Sequence, residues 1–183
     1  IILLSHPALA EDLIVNTTMT LSTGDYFYNN VLITNGATLI LNCVVTLNTT
    51  NLTIDSGSSI SADGKGYTAG LGPGAGLSGT SGGSYGGEGG KGYAASRAPT
   101  YGSSVAPVDL GSGGGRTGYS PPYTGGPGGG AIRLIVNGTL TLNGKITANG
   151  NKGGSGAGGG SGGSIYVTSN ALTGSGSFTA NGG

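Results

Sequence analysis

The chain has 183 residues, enough for one domain with a real core, and its seven Lys+Arg balance seven Asp+Glu. A net charge of zero gives no electrostatic footprint for nucleic acid or an anionic membrane, and it removes the self-repulsion that opposes association. Glycine fills 43 positions, yet no strict Gly-X-Y period makes the chain collagen, and alternating Val/Ile/Leu-rich segments exclude full disorder.

The first residues are apolar. Ile1, Ile2, Leu3 and Leu4, followed by Ala8-Leu9-Ala10 and acidic Glu11-Asp12, read as the tail of a secretory signal or as an apolar N-terminal arm. Either reading of residues 1–12 points to export. As an arm, Ile1–Leu4 would form a strand outside the repeat register, ended by Pro7 and able to add to a neighbour's open sheet edge. No apolar run approaches the roughly 20 residues of a membrane span.

Residues 13–183 read as a single domain. Short strands come first. Met19/Leu21, Leu39/Leu41 and Leu52/Ile54 alternate with threonines or isoleucine, and Asn35-Gly36, Ser56-Gly57 and Asp63-Gly64 are turn dipeptides between them. Cys43 shares parity with Val45 and Leu47, which predicts a small buried residue on the same strand face. With one cysteine, no intrachain disulfide forms.

Residues 64–130 are different: 25 of them are glycine, and six of the nine tyrosines lie here. A flexible linker, a packed polyglycine-type segment and an ordered insertion along the domain all fit the glycine. The tyrosines favour an ordered insertion or an interface, because aromatic rings seek contact. A shorter glycine tract, 153–163, holds the matching place in the next repeat.

Strands return in 131–183. Ile132, Leu134 and Val136 face one way, as do Leu140/Leu142 and Ile165/Val167. Here the chain repeats itself. Gly144-Lys145-Ile146-Thr147-Ala148-Asn149-Gly150 matches Gly176-Ser177-Phe178-Thr179-Ala180-Asn181-Gly182, and both match the earlier Gly57–Gly64. Ile146 and Phe178 are 32 residues apart, and Ile132 and Ile165 are 33 apart. Units that cannot bury their own apolar face gain by stacking. The expected fold is therefore all-β: a right-handed parallel β-helix, or β-solenoid, with a long glycine/tyrosine-rich insertion. Its core ladder would stack Ile60, Ile146 and Phe178 in one column and Ala62, Ala148 and Ala180 in another. The Asx-Gly pairs would close left-handed turns. Open solenoid ends would need a cap or a partner.

Chemistry is sparse. Gly74–Gly79 fits a dinucleotide pattern without a strand-to-helix context, and two G-x-S-x-G matches fall inside glycine tracts. The only histidine is His6, which argues against a Ser-His-Asp site, and one His with one Cys argues against a His/Cys metal centre. The carboxylates Glu11, Asp12, Asp25, Asp55, Asp63, Glu88 and Asp109 are scattered, which argues against the convergent acid pair of a polysaccharide-degrading enzyme. Outward threonines at 18/20 and 139/141 suit ice binding only as a flat multi-rung array, and they are also ordinary strand surface. No cofactor is expected. Four sequons, at Asn16, Asn48, Asn51 and Asn137, are candidate glycan acceptors, with Asn51 crowded by Asn48.

The run Ile146–Gly150, the glycine tract after it and Gly162–Val167 together resemble glycine-rich parallel β-helix proteins of cell surfaces and matrices. The resemblance covers about residues 30–183, and it implies an extracellular structural protein, in some relatives a glycan-coated filament. The expected function is a self-assembling, glycosylated, non-enzymatic filament subunit. A glycan-binding adhesin module is the alternative, and a polysaccharide-degrading β-helix enzyme the third reading.

Overall fold

A computed structural model describes residues 11–77, 80–93, 96–118 and 124–183. Among them no helix occurs, and ten strands form two parallel sheets. In chain order these are β1 (Leu13–Val15), β2 (Met19–Leu21), β3 (Gly24–Ile33), β4 (Thr38–Leu41), β5 (Val44–Ile54), β6 (Ser59–Ser61), β7 (Ala131–Leu142), β8 (Lys145–Thr147), β9 (Ser164–Thr173) and β10 (Ser177–Thr179). Odd strands make one sheet, in the order β1-β3-β5-β7-β9, and even strands make the other, β10-β8-β6-β4-β2. The chain thus alternates between sheets, and each strand pairs with the strand two elements away.

Register explains the sequence pattern. Leu13, Val31, Leu52, Leu140 and Leu172 lie side by side across the odd sheet, and Val45, Ile132 and Ile165 form a second row. Across the even sheet run Met19, Leu39, Ile60, Ile146 and Phe178. Leu39, Ile60 and Ile146 are fully buried, as are Ala62 and Ala148. Small residues suit the alanine positions because the glycine tracts leave the sheet there: Gly130 donates to the Ala62 carbonyl and Gly163 to that of Ala148.

The odd strands after β1 are long, and β5 and β7 run through a bend. In β5 the buried positions are Val45, Leu47 and Thr49, then Leu52 and Ile54, so the inward phase slips between Thr49 and Leu52. Thr49 can be buried there because its hydroxyl donates to the Asn29 or Asn51 carbonyl.

The expected turn chemistry holds at some corners and not at others. Asn35 and Gly36 both have positive φ, and Ala37 N–H closes the turn on Thr34. Gly57 and Gly64 also have positive φ. Gly150 and Gly182 do not. Gly150 is needed instead for close approach, since a Cβ there would collide with the Gly160 carbonyl. Cys43 departs from its expected strand position. It sits at the corner between β4 and β5 with φ 68°, half-buried, where its carbonyl accepts from Ala131 N–H.

The described part of 64–130 is an interlocked set of extended glycine tracts. Tract 111–115 is hydrogen-bonded to 67–76, to 126–129 and to 158–161, and Gly115 N–H also reaches Ser81. A sheet strand has two neighbours; this tract has more, as extended polyglycine chains packed side by side would. The spacing admits no side chain. A Cβ on Gly111, Gly113, Gly114, Gly125, Gly126 or Gly128 would strike a neighbouring carbonyl. Tyrosines pin the tracts to the sheets. Tyr85 and Tyr101 meet edge to face at 4.9 Å, the Tyr85 hydroxyl lies 2.7 Å from Ser164 Oγ at the start of β9, and Ser112 donates to the Tyr101 hydroxyl.

Candidate functional site

The features with the clearest consequence are the two ends of the strand stack. At the last rung Leu172 is 57 % exposed and Phe178 41 %, whereas their partners Leu140 and Ile146 are fully buried. Ile165 and Val167 are half-buried beside Ile132 and Leu134, which are buried. The expectation of burial at Phe178 and Ala180 is therefore corrected. Both keep the repeat's position, but no described strand lies over them, and Ala180 is exposed.

The first rung mirrors this. β1 pairs only with Val31–Ile33, so the edge of β3 from Gly24 to Tyr28 has no described strand over it. Leu13, Met19, Tyr26 and Tyr28 are half-buried against the core. Partial burial, with Tyr26 nearby, pushes the Tyr28 phenol up from its ordinary range. The arm residues Ile1, Ile2, Leu3 and Leu4 lie outside the described residues.

Two polar ladders run between the ends. At the bend, Asp12 Oδ1 accepts from Asn30 N–H and from the amides of Asn29 and Asn30. Asn51 donates 3.0 Å to Asn30 Oδ1 and accepts from Thr139 N–H. At the even-sheet corner, Asp63 accepts from Asn149 N–H at 2.6 Å and from the Thr147 hydroxyl, and Asn149 Oδ1 accepts from Asn181 N–H at 2.8 Å. Asp12, Asn51, Asp63 and Asn149 thus bond the next rung's backbone, and Asn30 bonds the next rung's side chain. The signal was present in the sequence as Asn30/Asn51, spaced by 21 residues like the β3/β5 register, and as the Asx of each repeat.

The four sequons fall in different settings. Asn16 and Asn137 are exposed, at the β1–β2 turn and on β7. Asn48 is half-buried, with its amide donating to the Tyr26 carbonyl. Asn51 is exposed, but both ends of its amide belong to the bend ladder.

The carboxylates do not converge. Asp12 and Asp63 serve the ladders, and Glu88 pairs with Arg97 at 3.3 Å. Among the described residues no three His, Cys, Asp or Glu side chains gather as metal ligands, and no helix is long and apolar enough to cross a membrane. Arg133 packs over the Tyr166 ring at 5.8 Å on the outer face of the odd sheet. No protein-family model, curated protein or solved structure matches this chain.

Proposed function

We propose that the two sheets are faces of one parallel β-solenoid, and that the chain is a structural subunit of an extracellular filament or matrix. The observation that carries this reading is the in-register stacking of the apolar columns across both sheets, half-buried at the first described rung and exposed at the last. Leu172 and Phe178 continue columns that are buried one rung earlier. A second copy placed with its first rung on β9 and β10 would extend both sheets and cover these side chains. Covering two half-exposed large apolar groups is worth about 1–2 kcal/mol each, before the edge hydrogen bonds are counted. The Ile1–Leu4 arm is proposed as a donor strand at that joint. Glycans at Asn16 and Asn137, the two exposed sequons outside the bend ladder, would shield the flanks from sideways pairing.

The test is electron microscopy and sedimentation of the wild-type chain against Leu172→Asp/Phe178→Asp, with intact mass before and after deglycosylation. Filaments from wild type and monomers from the variant support the reading. A wild-type chain that stays monomeric at high concentration, with saturable binding to a glycan, favours the adhesin alternative.

A further inference from the structure

Tyr85 and Tyr101 are the one pair of aromatic rings in contact among the described residues. They come from separate runs of the glycine-rich insertion, on either side of residues 86–100. Tyr101 N–H donates 2.9 Å to the Tyr85 carbonyl, so the two residues are held side by side through the backbone. Their ring centroids are 4.9 Å apart, with the planes at 67°. Gly102 makes this approach possible. Its φ is 87°, and a Cβ there would stand 2.5 Å from Tyr85 Cε2, a ring carbon ortho to the hydroxyl. Tyr85 thus rests an ortho carbon against the segment that carries Tyr101.

The hydroxyls are anchored as well. Tyr85 OH lies 2.7 Å from Ser164 Oγ, which itself donates to the Asp109 carbonyl. Tyr101 OH donates to the Leu110 carbonyl and accepts from Ser112 Oγ at 2.8 Å. Swinging either ring out would break these bonds. The pair is nevertheless reachable. Both tyrosines are half-buried, and with Gly102, Ser103 and Ser104 they line a surface cavity of about 310 Å³, room enough for a small oxidant.

We propose that Tyr85 and Tyr101 form an oxidative cross-linking site, joined through an ortho carbon of each ring. The co-reactant is hydrogen peroxide acting through a haem peroxidase. Each phenol gives up one electron and its hydroxyl proton, and the two phenoxyl radicals pair to make one carbon–carbon bond. The hydrogen on each joined carbon then moves to its ring's oxygen, which restores both phenols. The two electrons and two protons reduce one peroxide to two waters. Coupling within the chain is favoured over coupling between chains because the rings are held together before oxidation. The link closes residues 86–100 into a covalent loop. It does not rest on the filament reading, since both rings belong to one copy.

The test is treatment of the dilute full chain with hydrogen peroxide and a haem peroxidase. The expected product is a monomer with dityrosine fluorescence, a mass lower by two hydrogens and a peptide map that joins Tyr85 to Tyr101. Exposed Lys91 and Arg97 lie between the two tyrosines, so limited trypsin cleavage there should leave the flanking fragments covalently joined on a denaturing gel. Tyr101→Phe keeps the ring but cannot form the phenoxyl radical, and its monomeric cross-linked product should fall about tenfold or more. Tyr93→Phe, at the most exposed of the described tyrosines, should leave that yield unchanged. No monomeric product, a link mapped to other tyrosines, an equal yield from Tyr101→Phe, or a yield from the folded chain no greater than from the urea-unfolded chain would each overturn the proposal.

Discussion

Gly126→Ala is the substitution that most sharply separates a packed glycine lattice from a linker. Gly126 N–H donates 2.9 Å to the Gly158 carbonyl, and its own carbonyl accepts from Gly114 N–H at 2.8 Å. A Cβ at this position points at the Asn151 carbonyl, far inside the 3.0 Å that real Cβ contacts respect. The obstacle is backbone, held in turn by the Asn151 N–H bond to Pro127, so no side chain can swing away. Relief requires one tract to move by more than an ångström, which breaks or bends two or three hydrogen bonds. At a net worth of about 1 kcal/mol each, the expected loss is about 2–3 kcal/mol. Gly118→Ala is the control. Among the described residues nothing lies within 4 Å of its Cβ, and its φ is not positive, so alanine should be neutral or stabilise by about 0.5 kcal/mol through the unfolded state. Urea denaturation with fluorescence from the tyrosines reads both. If Gly126→Ala unfolds within 0.5 kcal/mol of wild type, the tract is not packed as described.

Further outcomes follow from the same geometry. Ala148→Leu, at a fully buried position against the Gly129/Gly163 tracts, should cost about 1–3 kcal/mol by overpacking, read as a lower urea midpoint with unchanged slope; a midpoint at or above wild type would mean that the rung has slack. Cys43→Gly should raise stability by about 0.5–1 kcal/mol, since the φ of 68° matches that of Gly64 one rung later and strains any residue with a Cβ; a loss of more than 1 kcal/mol would show that the thiol packs usefully. Burial first, then the charges of Tyr67, Tyr85 and Asp109, raise the Tyr101 phenol above 10.0, with the Ser112 hydrogen bond opposing. The folded pKa exceeds the unfolded one, so this contribution is whole below pH 10 and is lost as pH rises through the folded value. Thermal melts should therefore fall above about pH 10, less so in Tyr101→Phe; identical alkaline slopes in the two proteins would exclude Tyr101 as a source.

The sequence revealed the strand rows better than the corners and the ends. Ile132, Leu134, Val136, Leu140 and Leu142 alternate in plain view because one face of β7 is buried along its length. Cys43 shares that parity, yet it turns the corner between sheets, and parity carries no information about φ. Phe178 repeats Ile146 in every local respect; its exposure depends on whether another strand lies over it, which is a fact about the stack. The Asx of each repeat was visible, but its use as a bond to the next rung, rather than as a turn former, required the register. The glycine tracts were legible as composition alone. Which glycine faces which carbonyl depends on pairings such as Ser112 with Ser161, which no periodicity encodes.

The end-to-end filament is tested most directly by helical reconstruction of assembled material from electron micrographs. The five described rungs in each sheet, at about 4.8 Å per rung, set a subunit rise of at least about 24 Å with strands perpendicular to the filament axis. A reconstruction with that rise, and with β9 and β10 buried against the next copy's first rung, is the expected result. Strands running along the axis, or filaments that leave Leu172 and Phe178 in solvent, would contradict it.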